Sequence, residues 1–382
     1  MTSGLLAQTS PRKVDIIWNV TLVCPWNCAI CCVDAVHVTK RSNIITMKSR
    51  ALTATEHLPM TDQGNHFEQA MRKRQQEGLE LDKAGKMRVL DHLTNAALLP
   101  KIDFSGGDVM VARENFEVLQ AAASRFGRTQ ITLTATGAGL AGYDVASLAP
   151  YIGELNFTYD SPVIDGGPTR PTGYANGNLR KAAQFAQAGV RTRGECPLSI
   201  DNIADETLRQ IYRNLHDAGI GKLLLMRLFP VGRGQHQPGA IPSPEQYRRA
   251  IAVLREMEAD LGSPAVKLQC ALKFFDRQDM TVNPCDLLHE SFGLQADGTL
   301  LFSPWAVGPQ GRPLSEEWVI GNLSEHPLAE LLASEKAQAY RQRLDQNFGH
   351  CKIFSYFQST KSDPVDRIFD AADPLGLLAV TK

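Results

Sequence analysis

Strand-like and helix-like segments alternate along this chain, and that alternation limits its fold more than any other feature. Apolar, β-branched runs fall at 14–20, 101–105, 131–135, 154–159, 190–200 and 222–229. Between them, helical spacing of apolar residues predicts helices at 81–98, 113–126, 178–188 and 205–218, with another at 244–261 after the sixth run. Leu208, Ile211, Tyr212 and Leu215 share one helical face, and Gly219 stops that helix. Strands separated by helices return parallel to one another. The reading is an α/β fold with a parallel sheet, open or curled into a barrel. In a parallel barrel the chemistry gathers at the C-terminal ends of the strands.

The first such strand end carries a cysteine cluster. Cys24, Cys28, Cys31 and Cys32 fall within nine residues, while Cys196, Cys270, Cys285 and Cys351 are scattered. Eight cysteines in 382 residues are too few for a disulfide scaffold. In a reducing compartment a tight thiol cluster more often binds metal. Structural zinc prefers two ligand pairs that close a tetrahedral site, and no second C-x2-C pair follows. Three thiolates spaced C-x3-C-x2-C suit a cubane iron–sulfur cluster with one iron left open. The next strand ends in Gly106-Gly107-Asp108, where two glycines let backbone approach a ligand closely and Asp108 adds an acceptor.

Together these features resemble the radical S-adenosylmethionine (SAM) superfamily. The resemblance covers roughly residues 14–230 and implies a partial (β/α)6 TIM-like barrel. It implies that Cys24, Cys28 and Cys31 ligate a [4Fe–4S] cluster whose fourth iron takes the amino and carboxylate groups of SAM. Reduction then yields methionine and a 5′-deoxyadenosyl radical, which removes hydrogen from a substrate. Gly106, Gly107 and Asp108 match the family's glycine–glycine–glutamate motif for the SAM amino group, with Asp108 one methylene shorter. Ile30 stands where the family usually has an aromatic residue. Cys32 is a second candidate for the third ligand; the family spacing favours Cys31. Thr134 and Thr136, at the third strand end, are implied contacts for the nucleoside or methionine. Asp160 and Ser161, at the fourth, are implied ribose contacts. Glu195 and Ser199 lie along the fifth strand, and Arg227 on the sixth is an implied partner for the SAM carboxylate. Each of these also has an ordinary structural role open to it: strand threonine, Asp-Ser-Pro turn, internal ion pair. Cys196, on the fifth strand, is a candidate to face the interior and return a hydrogen atom.

Residues 1–13 read as a tail, 14–230 as the core, 231–265 as a linker and helix, and 266–382 as a small α+β extension. The segment 33–80 is far longer than an ordinary strand-to-helix loop and reads as a lid or substrate wall. Residues 293–302 read as a hairpin around Asp297-Gly298, followed by 320–323 and a helix over 327–344. This order resembles the SPASM or twitch extensions that hold auxiliary iron–sulfur clusters. Ser303-Pro304-Trp305 replaces the cysteine usual after the hairpin. Cys270, Cys285 and Cys351 remain as ligands for one auxiliary cluster, or the extension has kept its fold and lost its metal.

Forty basic and forty-one acidic residues leave no bulk field for gripping nucleic acid or an anionic membrane. No run of apolar residues is long enough to span a bilayer, and the N-terminal stretch lacks a signal-peptide core. The expected place is the cytoplasm. The expected function is radical SAM chemistry on a small natural-product-type substrate, with a reductase or flavodoxin-type electron donor as partner. A ribosomally made peptide is the alternative substrate. Only 23 residues precede Cys24, so neither a peptide-recognition nor a cobalamin domain is expected ahead of the core. A non-catalytic iron–sulfur or zinc scaffold is the alternative from another class.

Overall fold

The computed structural model describes residues 11–95, 97–162, 169–276, 283–285 and 287–376. Most of the expected N-terminal tail therefore lies outside the described residues. The chain begins with β1 (Arg12–Thr21) and β2 (Val23–Cys24). Three strands of the 33–80 insertion follow: β3 (Val36–Arg41), β4 (Ile44–Ser49) and β5 (Ala54–Pro59). Next come α1 (His66–Gln76), α2 (Lys83–Leu93), β6 (Leu98–Gly106), α3 (Arg113–Phe126) and β7 (Ile131–Thr134). The core continues with α4 (Val145–Leu148), β8 (Glu154–Thr158), α5 (Tyr174–Gln187), β9 (Arg191–Leu198), α6 (Asp205–Asp217) and β10 (Lys222–Arg227). After α7 (Pro244–Leu261) come β11 (Ala265–Leu268), β12 (Ser291–Leu294), β13 (Thr299–Leu301) and β14 (Val319–Asn322). Four short helices end the chain: α8 (Leu328–Ala333), α9 (Glu335–Gln342), α10 (Lys352–Gln358) and α11 (Pro364–Ile368).

All six expected core strands form, and they stand side by side in sequence order: β1, β6, β7, β8, β9, β10, each parallel to the next. Sequential order is the winding of a barrel; a doubly wound sheet reverses direction at a switch point. The architecture is the expected partial (β/α)6 arrangement. Two additions were not legible in the sequence. β11 extends one edge in parallel, and β12 lies parallel to β1 at the other, followed by antiparallel β13 and β14. The expected C-terminal hairpin is β12–β13, and it continues the barrel sheet.

Strand parity divides the core into two faces. On β1, Val14, Ile16, Trp18 and Val20 pack under the helices, while Ile17 and Asn19 point the other way into a cavity. Val118, Leu119 and Ala122 of α3, and Leu208, Ile211, Tyr212 and Leu215 of α6, supply the helical side of that core. Capping fixes where the helices start. Asp82 caps α2 through the Gly85 amide at 2.7 Å, and Ser243 with Gln246 forms a capping box ahead of Pro244 in α7. The expected 327–344 helix is interrupted instead, because the Ser334 hydroxyl takes the Ala337 amide and starts α9 there. No helix among the described residues is long and apolar enough to cross a membrane.

The insertion is a sheet built onto the cysteine loop. β3 pairs in parallel with β2, bringing Val36 opposite Val23 and His37 opposite Cys24; β4 and β5 add antiparallel strands. The Arg233 guanidinium pairs with Asp34 at 2.9 Å and donates to the Cys28 carbonyl at 2.6 Å and to the Ala35 carbonyl. Both members of this ion pair are buried. Removing one partner strands the other charge away from water. Asp34→Ala is expected to lower unfolding stability by about 3–5 kcal/mol, read in a urea titration. A loss below about 1 kcal/mol would show the pair to be dispensable.

Candidate active site

Four cysteines, the glycine pair and the inward faces of the core strands line one cavity. Cys24 and Cys28 are buried; Cys31 and Cys32 are partly exposed within it. The loop is shaped by its own backbone. The Cys31 sulfur accepts from the Ala35 amide at 3.4 Å, and the Cys31 carbonyl accepts from the Arg233 amide at 2.8 Å. Burial pushes the Cys24 thiol well up, helped by the charges of Asp108 and Cys31. Burial also raises Cys28, with the Arg170 guanidinium working against it. Metal ligation would replace those protons.

Among the described residues, no three His, Cys, Asp or Glu side chains gather tightly enough for a single metal ion. A cubane cluster takes one thiolate per iron and spaces its sulfurs wider than the ligands of one tetrahedral zinc. Cys24, Cys28 and Cys31 bring three soft thiols to one cavity, a donor set of the kind that iron–sulfur clusters take.

Gly106 and Gly107 are required by the backbone itself. Gly106 has φ +126°, and a Cβ there would overlap the Thr21 carbonyl oxygen. A Cβ on Gly107 would overlap the carbonyl oxygens of Leu22 and Val23. The pair lets the end of β6 run against the entry to the cysteine loop, with Gly107 donating to the Thr21 carbonyl at 2.8 Å. Asp108 turns away from the cavity. Its carboxylate accepts from the Thr136 hydroxyl, the Gly139 amide at 3.0 Å and the Met110 amide at 3.4 Å. Burial lifts it to about 6 against those bonds.

The other sequence candidates separate into two groups. Thr134, Thr136, Glu195 and Arg227 line the cavity. Thr134 donates to Asp103 at 2.8 Å, and Thr136 accepts from the Trp26 indole at 3.0 Å. Glu195 pairs with Arg193 at 2.8 Å. Arg227 is held by Asp373 through two bonds of 2.8 and 2.9 Å and lies over the Phe354 ring. Its terminal nitrogens are thus engaged within the chain. Asp160, Ser161 and Ser199 do not line the cavity; Asp160 pairs with Arg170 at 2.7 Å. Cys196 is a correction. Parity on β9 sends Arg193, Glu195 and Pro197 into the cavity and Cys196 into the core beneath the helices, so it does not face the interior.

In the C-terminal region Cys270, Cys285 and Cys351 are all buried. Burial first, then Asp373, raise the Cys351 thiol, and the charge of Cys285 adds to this. Pro304 and Trp305, where a cysteine was expected by resemblance, line the cavity instead. Trp305 stacks on Phe229 with centroids 4.5 Å apart and planes 7° from parallel.

Several cavity residues escaped the sequence reading: Trp26, Asp103, Arg170, Tyr174 and Arg193. Asp103 had a signal. A charged residue between Ile102 and Phe104 in a central parallel strand is an anomaly.

No family model matches the chain, and no curated protein matches it. Solved structures do. SuiB of Streptococcus suis bound to the precursor peptide SuiA aligns at TM-score 0.58 and 11% identity, over 86% of this chain and 66% of that one. The native anSMEcpe structure with bound AdoMet aligns at TM-score 0.58 and 14% identity, over 96% of this chain and 99% of that one. A further anSMEcpe structure, with AdoMet and the Cp18Cys peptide, aligns at TM-score 0.56 and 14% identity, over 96% and 98%. The chain shares their fold. It spans about two thirds of SuiB and nearly all of anSMEcpe. The partial (β/α)6 fold expected from the alternation of strands and helices is therefore the one present.

Asp103 supplies a prediction. Burial lifts its carboxyl to about 7, with Arg193 and the Thr134 hydroxyl opposing and Glu195 adding to the rise. A carboxyl whose folded value exceeds its unfolded value of 3.8 binds more protons when folded. Its contribution is harmless below pH 4 and costs progressively more as pH rises to about 7. Asp103→Asn removes that titration. The variant should gain thermal stability over the parent at pH 8, by up to about 4 kcal/mol, and not at pH 4. Parallel curves from pH 4 to 8 would refute the raised carboxyl.

Proposed function

We propose that this chain is a radical SAM enzyme. The observation that supports it is convergence. Cys24, Cys28, Cys31, Gly106 and Gly107 meet at one cavity, at the C-terminal ends of six sequentially ordered parallel strands. A [4Fe–4S] cluster held by Cys24, Cys28 and Cys31 would supply one electron to SAM, giving methionine and a 5′-deoxyadenosyl radical that takes a hydrogen atom from substrate. The chain's own part is holding and shielding. Arg233 and Asp34 fix the cysteine loop. Gly106 and Gly107 open the backbone beside it. Trp305 and Phe229 close an apolar wall that keeps water from a reactive intermediate. Val33 and Ala35, at the root of the insertion, add to that wall, and we read the insertion as a substrate wall.

We read the substrate as a peptide side chain or an organic molecule of similar size. SuiB with its precursor peptide and anSMEcpe with Cp18Cys support the peptide reading. We extend the reading to Cys270, Cys285 and Cys351 as ligands of one auxiliary cluster, supported by their being three buried free thiols in the C-terminal region.

The test is anaerobic reconstitution with iron and sulfide, then reductant and SAM, with 5′-deoxyadenosine measured. Cys24→Ala, Cys28→Ala and Cys31→Ala should each abolish it, and Cys32→Ala should not. Activity kept by Cys31→Ala and lost in Cys32→Ala would move the third ligand to Cys32. An intact cluster that yields no 5′-deoxyadenosine in the parent protein would end the proposal.

A further inference from the structure

The interior of this barrel is charged. By parity Lys101, Asp103, Glu154, Arg193, Glu195 and Lys222 share the inward face of four strands. Buried charges need partners, because an unpaired one loses its hydration with nothing in exchange. Most carboxylates here have one. Glu154 holds Lys222 at 2.9 Å, Glu195 holds Arg193 at 2.8 Å, and Asp160 at the rim holds Arg170 at 2.7 Å.

Among the described residues, two carboxylates of this site have no cation within 4 Å: Asp108 and Asp103. Asp108 is satisfied otherwise, by a hydroxyl and two backbone amides, and does not line the cavity. Asp103 lines it. Its donors are the Thr134 hydroxyl, at 2.8 Å, and the Asn156 amide, at 3.3 Å. Two neutral donors leave a carboxylate's remaining lone pairs unmet. Beside Asp103 one more acceptor is open: Asn156 Oδ1 is buried without a hydrogen-bond partner. An open donor also lies on this face, Arg193 Nε, whose guanidinium is held by Glu195.

We propose that Asp103 anchors a subsite for a protonated primary amine of the substrate, an ammonium group that completes the ion pair the chain leaves open. An ammonium has three donors and no acceptor, which matches a carboxylate without a counter-ion and the open Asn156 amide oxygen beside it. An anionic group would meet Asp103 and Glu195 together. The charged groups on the inward face around Asp103 are Arg193 and Glu195 on β9, Lys101 on its own strand, Glu154 on β8 and Lys222 on β10; β7 presents only Thr132 and Thr134 on this face, and β1 places Ile17 opposite. Of these charges Arg193 acts most strongly on Asp103, favouring its ionised form, and Glu195 opposes it; Glu154 is engaged with Lys222, and neither Arg193 nor Lys101 lies within salt-bridge reach of Asp103. The inference rests on the radical SAM reading only in calling the ligand a substrate.

Two probes present this chemistry from its two sources. n-Butylammonium is the free amine, and acetyl-Ala-Lys-Ala-amide carries it on a peptide. Each is titrated into the isolated full chain, without SAM or reductant, against sodium chloride at equal ionic strength, and affinity is read from the thermal shift. Because an entering cation competes with the proton on Asp103, which titrates near 7, affinity should rise about tenfold from pH 6 to pH 8. Asp103→Asn should weaken binding about tenfold or more, and Asp103→Glu, which keeps the charge, should retain most of it. Binding by the peptide alone assigns a peptide substrate; binding by n-butylammonium, with or without the peptide, assigns a pocket that takes the free amine. No shift with either probe, a shift equal in Asp103→Asn, or one flat between pH 6 and 8 overturns the proposal. If Asp103→Asn fails to fold, the pH contrast in the parent and the Asp103→Glu variant decide. Failure to form 5′-deoxyadenosine would sink the radical reading and leave this binding result untouched.

Discussion

A single buried carboxylate, Asp34, holds the cysteine loop to three other parts of the chain. It accepts the Ala51 amide of the insertion at 3.0 Å, the Gln310 amide of the C-terminal region at 2.8 Å and the Arg233 guanidinium at 2.9 Å. The Asp34 backbone lies in the left-handed region, φ +47°, which aspartate tolerates better than most residues. Arg233 then reaches past Asp34 to the Cys28 carbonyl. Charge-assisted bonds away from water are the strong ones. The loop is thus fixed largely through its carbonyls and the Asp34 side chain, and the amide bond that the Cys31 sulfur accepts is one that a ligating thiolate can keep. A second tie acts upstream: Glu80 takes the Thr21 hydroxyl, the Leu22 amide and Arg74, fastening the end of the insertion to the end of β1. Both ties depend on the long insertion folding back on its own root.

The inward face of the sheet departs from the usual barrel, in which branched aliphatic side chains fill the interior. Here Thr134, Asn156 and Arg193 stand in register across β7, β8 and β9, and Asp103 of β6, paired with Thr132 one level below, accepts from the Thr134 and Asn156 side chains. A polar face of this kind is costly unless satisfied. Most of it is, by pairs within the face. Of the two carboxylates that line the cavity among the described residues, Glu195 pairs with Arg193 and Asp103 has no cation in contact. A carboxylate left without a counter-ion on a cavity wall is complementary to a cation that the chain does not itself supply.

The strand order and the cysteine loop were legible in the sequence because both depend on local pattern. Apolar period and helix stops such as Gly219 are read over a dozen residues, and C-x3-C-x2-C over eight. What was not legible depends on parity or on distance along the chain. Cys196 and Glu195 are neighbours in sequence, yet one faces the helices and the other the cavity, so a one-residue uncertainty in β9 exchanges their roles. Arg227 sits at a strand end suited to a ligand carboxylate. Its partner is Asp373, which lies 146 residues away, where no spacing rule reaches. The insertion carries no strong hydrophobic run, and its strands form because β2 offers β3 an edge to pair with. Arg233, in a segment that read as a linker, acquires its role only once Asp34 is beside it.

The Arg227–Asp373 pair also joins the two chemistries proposed for this chain. Arg227 forms part of the cavity wall. Asp373 receives its two bonds and accepts the Cys351 amide at 2.8 Å through the same carboxylate. One ion pair therefore runs from the cavity to the backbone of a cysteine proposed to hold an auxiliary cluster, and Phe354, on the helix that Cys351 begins, stacks under the same guanidinium. Movement of Arg227 toward a ligand would break bonds that orient Cys351. The arrangement favours an arginine fixed in place, shaping the cavity and contributing a steady positive field there, over one that swings to grip a carboxylate. On that account the C-terminal region is a structural wall of the site whether or not it binds metal, which is why Pro304 and Trp305 can stand where a ligand cysteine was expected without the cavity losing its shape.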